Sequence, residues 1–143
     1  MLKLTPLNIK KVIKSLEKKK NKADSTLFQE LILTAERIKA EARKRIARLS
    51  RGRKYTSKGI VRFSSRPGDA PNTQTGTLIR GIESFITNQG VGVRSRAKYS
   101  KKLEFGAGNI EARPFLEPSL LKIWGRDKSK VIDKIVKSMR KVK

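Results

Sequence analysis

The chain has 143 residues, 36% of them apolar, a length and composition that fit one domain with a modest core. It contains neither cysteine nor histidine, which excludes disulfides, thiol chemistry, a histidine general base and zinc sites built from those residues. No run approaches the ~18 apolar residues of a membrane span. The first 20 residues lack the apolar segment of a secretory signal, so we expect assembly in the cytoplasm.

The net charge of +24 lies mostly at the two ends of the chain. Residues 1–62 hold 19 basic and 5 acidic residues, and residues 122–143 hold 9 basic and 2 acidic ones. The middle segment, residues 63–121, is closer to neutral, with 8 basic and 5 acidic residues. Basic flanks indicate an anionic neighbour, either nucleic acid or an acidic protein surface, and solubility alone is the plain alternative. The residues that we expect to make this contact are Lys18, Lys19, Lys20, Arg51, Arg53 and Lys54, with Tyr55 available to stack on a base.

The N-terminal third predicts two helices. Apolar residues at helical spacing indicate a short basic helix within residues 1–22, ended by the lysines before Asn21. A second helix is expected over residues 25–50, because Thr26 and Gln29 match a capping box. Apolar residues then recur every three or four positions from Leu27 to Leu49, which places a stripe on one side of this helix.

Glycine and proline interrupt residues 51–76, where only the segment around Ile60 and Phe63 has the composition of a short strand. Residues 64–76 have almost no apolar side chains. Loops of this length are uncommon in compact domains and are usually functional or disordered. We therefore predict a loop or arm that becomes ordered against a partner.

The segment 77–121 has the densest local signals. Thr75 or Thr77 is expected to cap one helical turn, and the residues around Asn88-Gln89-Gly90 predict a β-hairpin. Two further features follow along the chain. The first is a short helix with Tyr99, Leu103 and Phe105 on one face, which ends at Gly106 and Gly108 with positive φ. The second is Pro114, which holds the backbone of Arg113 extended. A helix is then expected over residues 118–143, with an interruption at Gly125.

The acidic residues of the middle region form no obvious catalytic pair in the sequence. The fragments Gly90-Val91-Gly92 and Gly106-Ala107-Gly108 lack the third glycine and the lysine of a phosphate-binding loop. We therefore expect no enzymatic activity, no cofactor and no metal.

Four segments occur in one order, and together they resemble a known family. They are Arg66-Pro67-Gly68-Asp69-Ala70-Pro71, Thr75-Gly76-Thr77-Leu78, Tyr99 with Leu103-Glu104-Phe105-Gly106, and Ala112-Arg113-Pro114-Phe115-Leu116-Glu117-Pro118. The series is similar to the small neck proteins of long-tailed phages, called head–tail joining or tail completion proteins, over residues 64–122. Ala107 stands where the family commonly has threonine, and Gly81 stands where serine is frequent.

The resemblance implies an α+β fold, with a long helix and a C-terminal helix packed on a small antiparallel sheet. It also implies a structural role, in which copies of the protein form a homo-oligomeric ring around the DNA channel at the head–tail junction of the virion. The neighbours of this ring would be head-connector proteins on one side and tail-tube or terminator proteins on the other. The residues expected at the subunit or partner interface are Arg66, Pro67, Gly68, Asp69, Pro71, Thr75, Gly76, Leu78, Glu104, Phe105, Gly106, Arg113, Pro114 and Phe115.

Two side chains of the series have competing interpretations. One hypothesis pairs Glu104 with a basic residue such as Arg113 of the same or the adjacent chain. Phe115 either contacts a neighbour or docks into the core of its own subunit, and we favour the core. The alternative function, suggested by the pI of 11.0, is a ribosome-associated or other RNA-binding protein.

Overall fold

The computed structural model describes residues 6–142, and these form four helices and four strands. In chain order the elements are α1 (Pro6–Ala47), β1 (Lys54–Ser57), β2 (Ile60–Phe63), α2 (Thr77–Gly81), β3 (Ile82–Thr87), β4 (Gly90–Ser95), α3 (Ser100–Phe105) and α4 (Glu117–Arg140). The α+β class, the long helix and the C-terminal helix are confirmed. The strands form two separate antiparallel pairs, β1–β2 and β3–β4.

Helix α1 is continuous, so the predicted break near Asn21 and the capping box at Thr26 are wrong. After Pro6 in its first turn, α1 holds neither glycine nor proline, and each of its polar residues costs a helix at most ~0.7 kcal/mol. The hydroxyls of Ser25 and Thr26 donate to the carbonyl oxygen of Lys22 at 3.0 and 2.8 Å. These hydroxyls therefore bond within the helix instead of starting a new one.

Helix α4 is continuous as well, and the predicted interruption at Gly125 does not occur. One interior glycine costs a helix about 1 kcal/mol, which packing along the helix readily offsets. Pro118 lies in the first turn of α4, as expected, because that position needs no backbone N–H donor.

Contacts divide the chain into two units. Unit 1 holds α1 up to Leu31 and α4 from Asp127 onward. Within it the ammonium of Lys134 lies 2.7 Å from a carboxylate oxygen of Glu30, and Val131 is buried. Several apolar residues of α1 remain exposed in this unit, namely Ile9, Val12, Ile13, Leu16, Leu27 and Phe28.

Unit 2 spans Ile32–Arg126 and contains the segments of the motif series. The C-terminal part of α1, the short helix α2 and the hairpin β3–β4 supply most of its core. The buried apolar residues of this core are Ala42, Ile46, Leu78, Ile82, Ala97 and Phe115. Phe115 is fully buried within its own chain, which confirms the core interpretation of that residue.

The predicted hairpin is present as β3–β4, with Ile86 opposite Val91 and the turn at Asn88-Gln89. The start of α2 differs from the prediction. Its N-cap is Gly76 in the left-handed conformation (φ 74°), and no side chain caps it. The hydroxyls of Thr75 and Thr77 lie 2.9 Å apart and bond to each other, and neither caps the helix.

Candidate functional site

The carboxylate of Glu104 holds the beginning of α4. Glu104 lies in α3 and is 7% exposed. Its oxygens accept hydrogen bonds from the backbone N–H groups of Phe115 at 2.9 Å, Leu116 at 3.1 Å and Glu117 at 2.7 Å. The first N–H groups of a helix have no partner inside the helix, and a negative charge beside them is favourable. We refer to this arrangement as the Glu104 clamp.

The hypothesised pairing of Glu104 with Arg113 within one chain is wrong, because both carboxylate oxygens are taken by the clamp. The guanidinium of Arg113 instead donates to the carbonyl oxygens of Glu111 at 3.0 Å and Ser65 at 3.4 Å. Its backbone N–H donates to the carbonyl oxygen of Leu103 at 2.6 Å. Arg113 therefore connects α3, the segment before α4 and the start of the 64–76 loop.

A tight reversal separates α3 from this segment. Gly106 has φ 76° and ψ 159°, a region that only glycine enters readily. A Cβ atom there would lie 3.0 Å from the carbonyl oxygen of Ile110. Ala107 and Ile110 exchange two backbone hydrogen bonds at 3.0 Å. The predicted positive φ angles of Gly106 and Gly108 are confirmed.

The 64–76 loop has no regular structure, as predicted, but it is not a free arm. The side chain of Asn72 accepts from the backbone N–H of Ser50 at 2.9 Å and donates to its carbonyl oxygen at 2.6 Å. The hydroxyl of Thr73 donates to the carbonyl oxygen of Ile46 at 3.1 Å. The N–H of Gly68 donates to the carbonyl oxygen of Ala112 at 3.1 Å. The loop is therefore ordered by contacts within its own chain, and the prediction that it becomes ordered only against a partner is wrong.

The residues expected at an interface fall into three groups by exposure. Exposed ones are Arg66, Pro67, Gly68, Asp69, Thr75 and Phe105; half-buried ones are Gly76, Gly106, Arg113 and Pro114; buried ones are Pro71, Leu78, Glu104 and Phe115. The buried side chains contact their own subunit, so they would shape an interface only through the backbone that they hold in place. The predicted apolar face of α3 is divided, because Leu103 packs on the core whereas Phe105 is 69% exposed.

The hairpin β1–β2, here called the outer hairpin, exposes apolar side chains on both of its faces, because Ile60 points opposite to Val61 and Phe63. The sequence indicated β2 but missed β1, whose residues read as a basic loop. Ile60, Val61 and Phe63 are all exposed, and Leu49 of the preceding segment is 84% exposed. These four residues are the hairpin patch. A two-stranded hairpin with an exposed apolar surface is marginally stable by itself, so this surface is suited to a partner.

The basic candidates are distributed over both units. Lys18, Lys19 and Lys20 lie on α1 in unit 1. Arg51, Arg53 and Lys54 are exposed in unit 2, where Lys54 begins β1. The ring of Tyr55 is half-buried, and its hydroxyl bonds to the side-chain amide of Gln74.

An open cavity of about 440 Å³ lies where α1 meets the 64–76 loop. We call it the arginine cavity; its lining residues are Arg45, Arg48, Leu49, Ser50, Arg51, Arg66, Gly68, Asp69 and Ala70. Sequence reasoning did not assign Arg45 or Arg48 to a site. A signal was available, since Arg45, Arg48 and Arg51 recur every third residue, and Arg66 joins them only through the fold.

Several carboxylates of unit 2 are held by basic side chains. Glu83 accepts from the Nε atoms of Arg94 and Arg96, each at 2.7 Å, and these bonds hold the pKa of Glu83 below its usual range. The Lys122 ammonium, 2.8 Å from Glu41, lowers the pKa of Glu41 in the same way. These acids are positioned as ion-pair partners of neighbouring strands and helices.

Within residues 6–142 no cluster of three or more acidic side chains has the arrangement of a metal site. Among the helices of this described range, none is long and apolar enough to cross a membrane.

Comparison with known proteins gives one distant similarity. The chain is 37% identical over 71 residues to an uncharacterized protein of Methanocaldococcus jannaschii; the match covers 46% of this chain and 52% of that protein. The chain thus spans about half the length of the curated relative that it matches. No family model matches the sequence, and no solved structure matches it.

Proposed function

We propose that this protein is a structural subunit of a phage virion neck, in which copies form a ring that joins head to tail around the DNA channel. The motif series of residues 66–118 suggested this role. The Glu104 clamp and the contacts of Arg113 support it, because they use the polar groups of the series to fix a shape. The role that we propose is geometric and not enzymatic, with no cofactor.

The observation that carries the proposal is that unit 2 leaves several large apolar side chains exposed, and we consider two groups of them. One is the hairpin patch. The other is the Phe105 patch, formed by Phe105 at 69% exposure and Ile110 at 42%. Exposed apolar clusters on soluble proteins mark interaction sites. A ring closed by head-to-tail contacts needs two different surfaces on each subunit, and these two patches are candidates for them.

The oligomeric state of the purified chain tests this proposal. Native mass spectrometry and negative-stain microscopy should detect a discrete ring for the wild type. Phe105→Ser and Val61→Ser should each weaken assembly by roughly 30-fold or more, the size expected for a central interface residue. Ile86→Ser is the matched control, because Ile86 is also exposed (57%) but lies outside both patches.

A wild-type chain that stays monomeric at high concentration and never co-purifies with phage heads or tails would contradict the proposal. Equal loss of assembly in all three variants would contradict the assignment of the two patches, because the effect would then follow any exposed apolar side chain.

The second candidate is an RNA-binding, ribosome-associated protein, which the net charge of +24 favours. A protein of this class would bind RNA as a monomer, and its affinity would fall steeply with salt. The neck proposal expects a ring that forms without nucleic acid. Native mass spectrometry of the nucleic-acid-free protein therefore separates the two candidates.

A further inference from the structure

We propose that the arginine cavity binds phosphate groups of the DNA backbone. The choice of duplex DNA as the polymer rests on the proposed neck function; the choice of phosphate rests on the chemistry of the cavity. Four arginines line it, together with a single acid, Asp69. That acid accepts a hydrogen bond from the hydroxyl of Ser50 at 2.6 Å. The lining therefore has an excess of positive charge.

Two of the four arginines have guanidinium groups available to a ligand. Arg48 and Arg51 are exposed, and within residues 6–142 neither guanidinium forms a hydrogen bond or ion pair. The Nε atom of Arg66 donates to the carbonyl oxygen of Arg51 at 3.2 Å, which positions the Arg66 side chain beside them. A guanidinium has five N–H donors in a planar fork that matches phosphate oxygens.

The backbone below these side chains is held in place before any ligand arrives. Ser50 is the central residue: its hydroxyl accepts from the N–H of Arg66 at 3.1 Å, and its backbone pairs with the side chain of Asn72. These bonds join the end of α1 to the 64–76 loop. A preformed site loses less conformational entropy on binding, which raises its affinity.

The site extends beyond one phosphate. A neighbouring groove shares Leu49, Ser50 and Arg51 with the arginine cavity and adds Arg62 of the outer hairpin. The Nε atom of Arg62 is buried and has no hydrogen-bond acceptor among the residues that the structure describes. Arg45 pairs with Glu41 at 3.4 Å, whereas Arg48, Arg51 and Arg62 form no ion pair within residues 6–142. Several unpaired guanidinium groups suit a polyanion whose charges repeat along a chain.

The absence of a stacking platform favours backbone recognition over base recognition. The lining of the arginine cavity contains no aromatic residue, and the one aromatic residue that lines the neighbouring groove is Phe63 of the hairpin patch. Proteins that bind single strands usually stack bases on aromatic side chains, whereas contacts to duplex phosphates need only basic groups and backbone donors. We therefore expect binding that is independent of sequence and strongly dependent on salt.

The test compares two double variants that each remove two positive charges from unit 2. Arg48→Gln/Arg51→Gln alters the cavity, and Lys101→Gln/Lys102→Gln alters exposed lysines of α3 outside it. Fluorescence anisotropy with a short labelled duplex measures affinity between about 50 and 200 mM salt. Thermal melting of each variant checks the fold, and the single variants Arg48→Gln and Arg51→Gln replace the double variant if it melts early.

We expect the arginine variant to bind the duplex roughly 10- to 100-fold more weakly at low salt. Its slope of log affinity against log salt should fall by about two, one for each lost phosphate contact. The lysine variant should stay within about threefold of the wild type, since its charges lie outside the site.

Equal losses in both variants would overturn the inference, because binding would then follow total charge. Tighter binding to polyglutamate or to a structured RNA than to the duplex would also overturn it, in favour of an acidic protein or RNA partner. Native mass spectrometry of the same samples distinguishes this failure from failure of the neck proposal. If both variants form a ring and bind the duplex equally well, only the phosphate-site inference is contradicted. If the protein is a monomer whose binding to the duplex depends on Arg48 and Arg51, only the neck proposal is contradicted.

Discussion

The two hairpins of unit 2 are similar in kind and opposite in environment. In β3–β4, here the inner hairpin, Ile82 is fully buried and its carbonyl oxygen accepts from the guanidinium of Arg43 at 2.7 Å. In the outer hairpin, every residue of β1–β2 is exposed except the half-buried Tyr55 and Arg62. The inner hairpin thus packs on α1, whereas the outer hairpin has its large apolar side chains in solvent.

This difference separates residues that stabilise the subunit from residues that are free to serve a partner. A buried side chain contributes to folding through the surface that it removes from water. An exposed Ile or Val contributes little to the fold, and in a ring it would be buried by the neighbouring subunit. The inner hairpin therefore contributes to stability, whereas the exposed side chains of the outer hairpin contribute little to it.

The largest expected effect compares one isoleucine from each hairpin. Ile82→Ala should lower the free energy of unfolding by roughly 2–5 kcal/mol, because it leaves a cavity in the core. Ile60→Ala, at a side chain 56% exposed, should change it by less than about 0.5 kcal/mol. Urea denaturation at a concentration where the chain is monomeric measures both. Comparable losses would show that the outer hairpin is also part of the folded core.

Like the inner hairpin, the Glu104 clamp is expected to stabilise the fold. Glu104→Gln should lower the free energy of unfolding by roughly 2–4 kcal/mol. The amide lacks the negative charge, and its NH₂ group, itself a donor, would face backbone N–H groups with which it cannot form a hydrogen bond. Glu111→Gln is the control, because Glu111 is exposed and lies 4.0 Å from its nearest basic partner, Arg113. A Glu104→Gln variant as stable as that control would show that the clamp contributes little.

The smallest effect is a pH dependence that belongs to the inner hairpin. Hydrogen bonds from Arg94 and then Arg96 lower the pKa of Glu83 from its ordinary value of 4.5. A carboxyl whose pKa is lowered by folding stabilises the fold above its unfolded pKa, and this contribution is lost as pH falls through the folded pKa. The melting temperature of Glu83→Gln should lie below the wild-type value at pH 7.

The two proteins should approach the same melting temperature as the pH falls below the ordinary carboxyl value of 4.5 and then through the lowered pKa of folded Glu83, where the wild-type side chain becomes protonated. Glu36 and Glu41 also have lowered pKa values, so the wild type and the variant will both lose stability in acid. A constant difference between them at every pH would mean that the ion pairs with Arg94 and Arg96 do not stabilise the hairpin. Added salt should reduce the difference at pH 7 by screening these exposed pairs.

Local signals in the sequence predicted much of the fold but few details of the candidate site. The hairpin at Asn88-Gln89, the turn at Gly106 and the start of α4 near Pro118 were correct, because each depends on a few adjacent residues. The break in α1 and the interruption at Gly125 were wrong. Weak helix formers cost less than the contacts of a long helix supply, so their effect depends on packing.

The sequence by itself determined the α+β class, the positions of the glycine turns and the excess of positive charge at the ends, since composition and short-range periodicity encode them. Only the tertiary structure decided that Glu104 caps α4, that the 64–76 loop is bound to Ser50 and Ile46, and that Arg66 joins Arg48 and Arg51 around one cavity. These contacts join residues 11 to 27 positions apart. No local pattern specifies which of many donors and acceptors will meet across such a distance, because that choice depends on how the whole core packs.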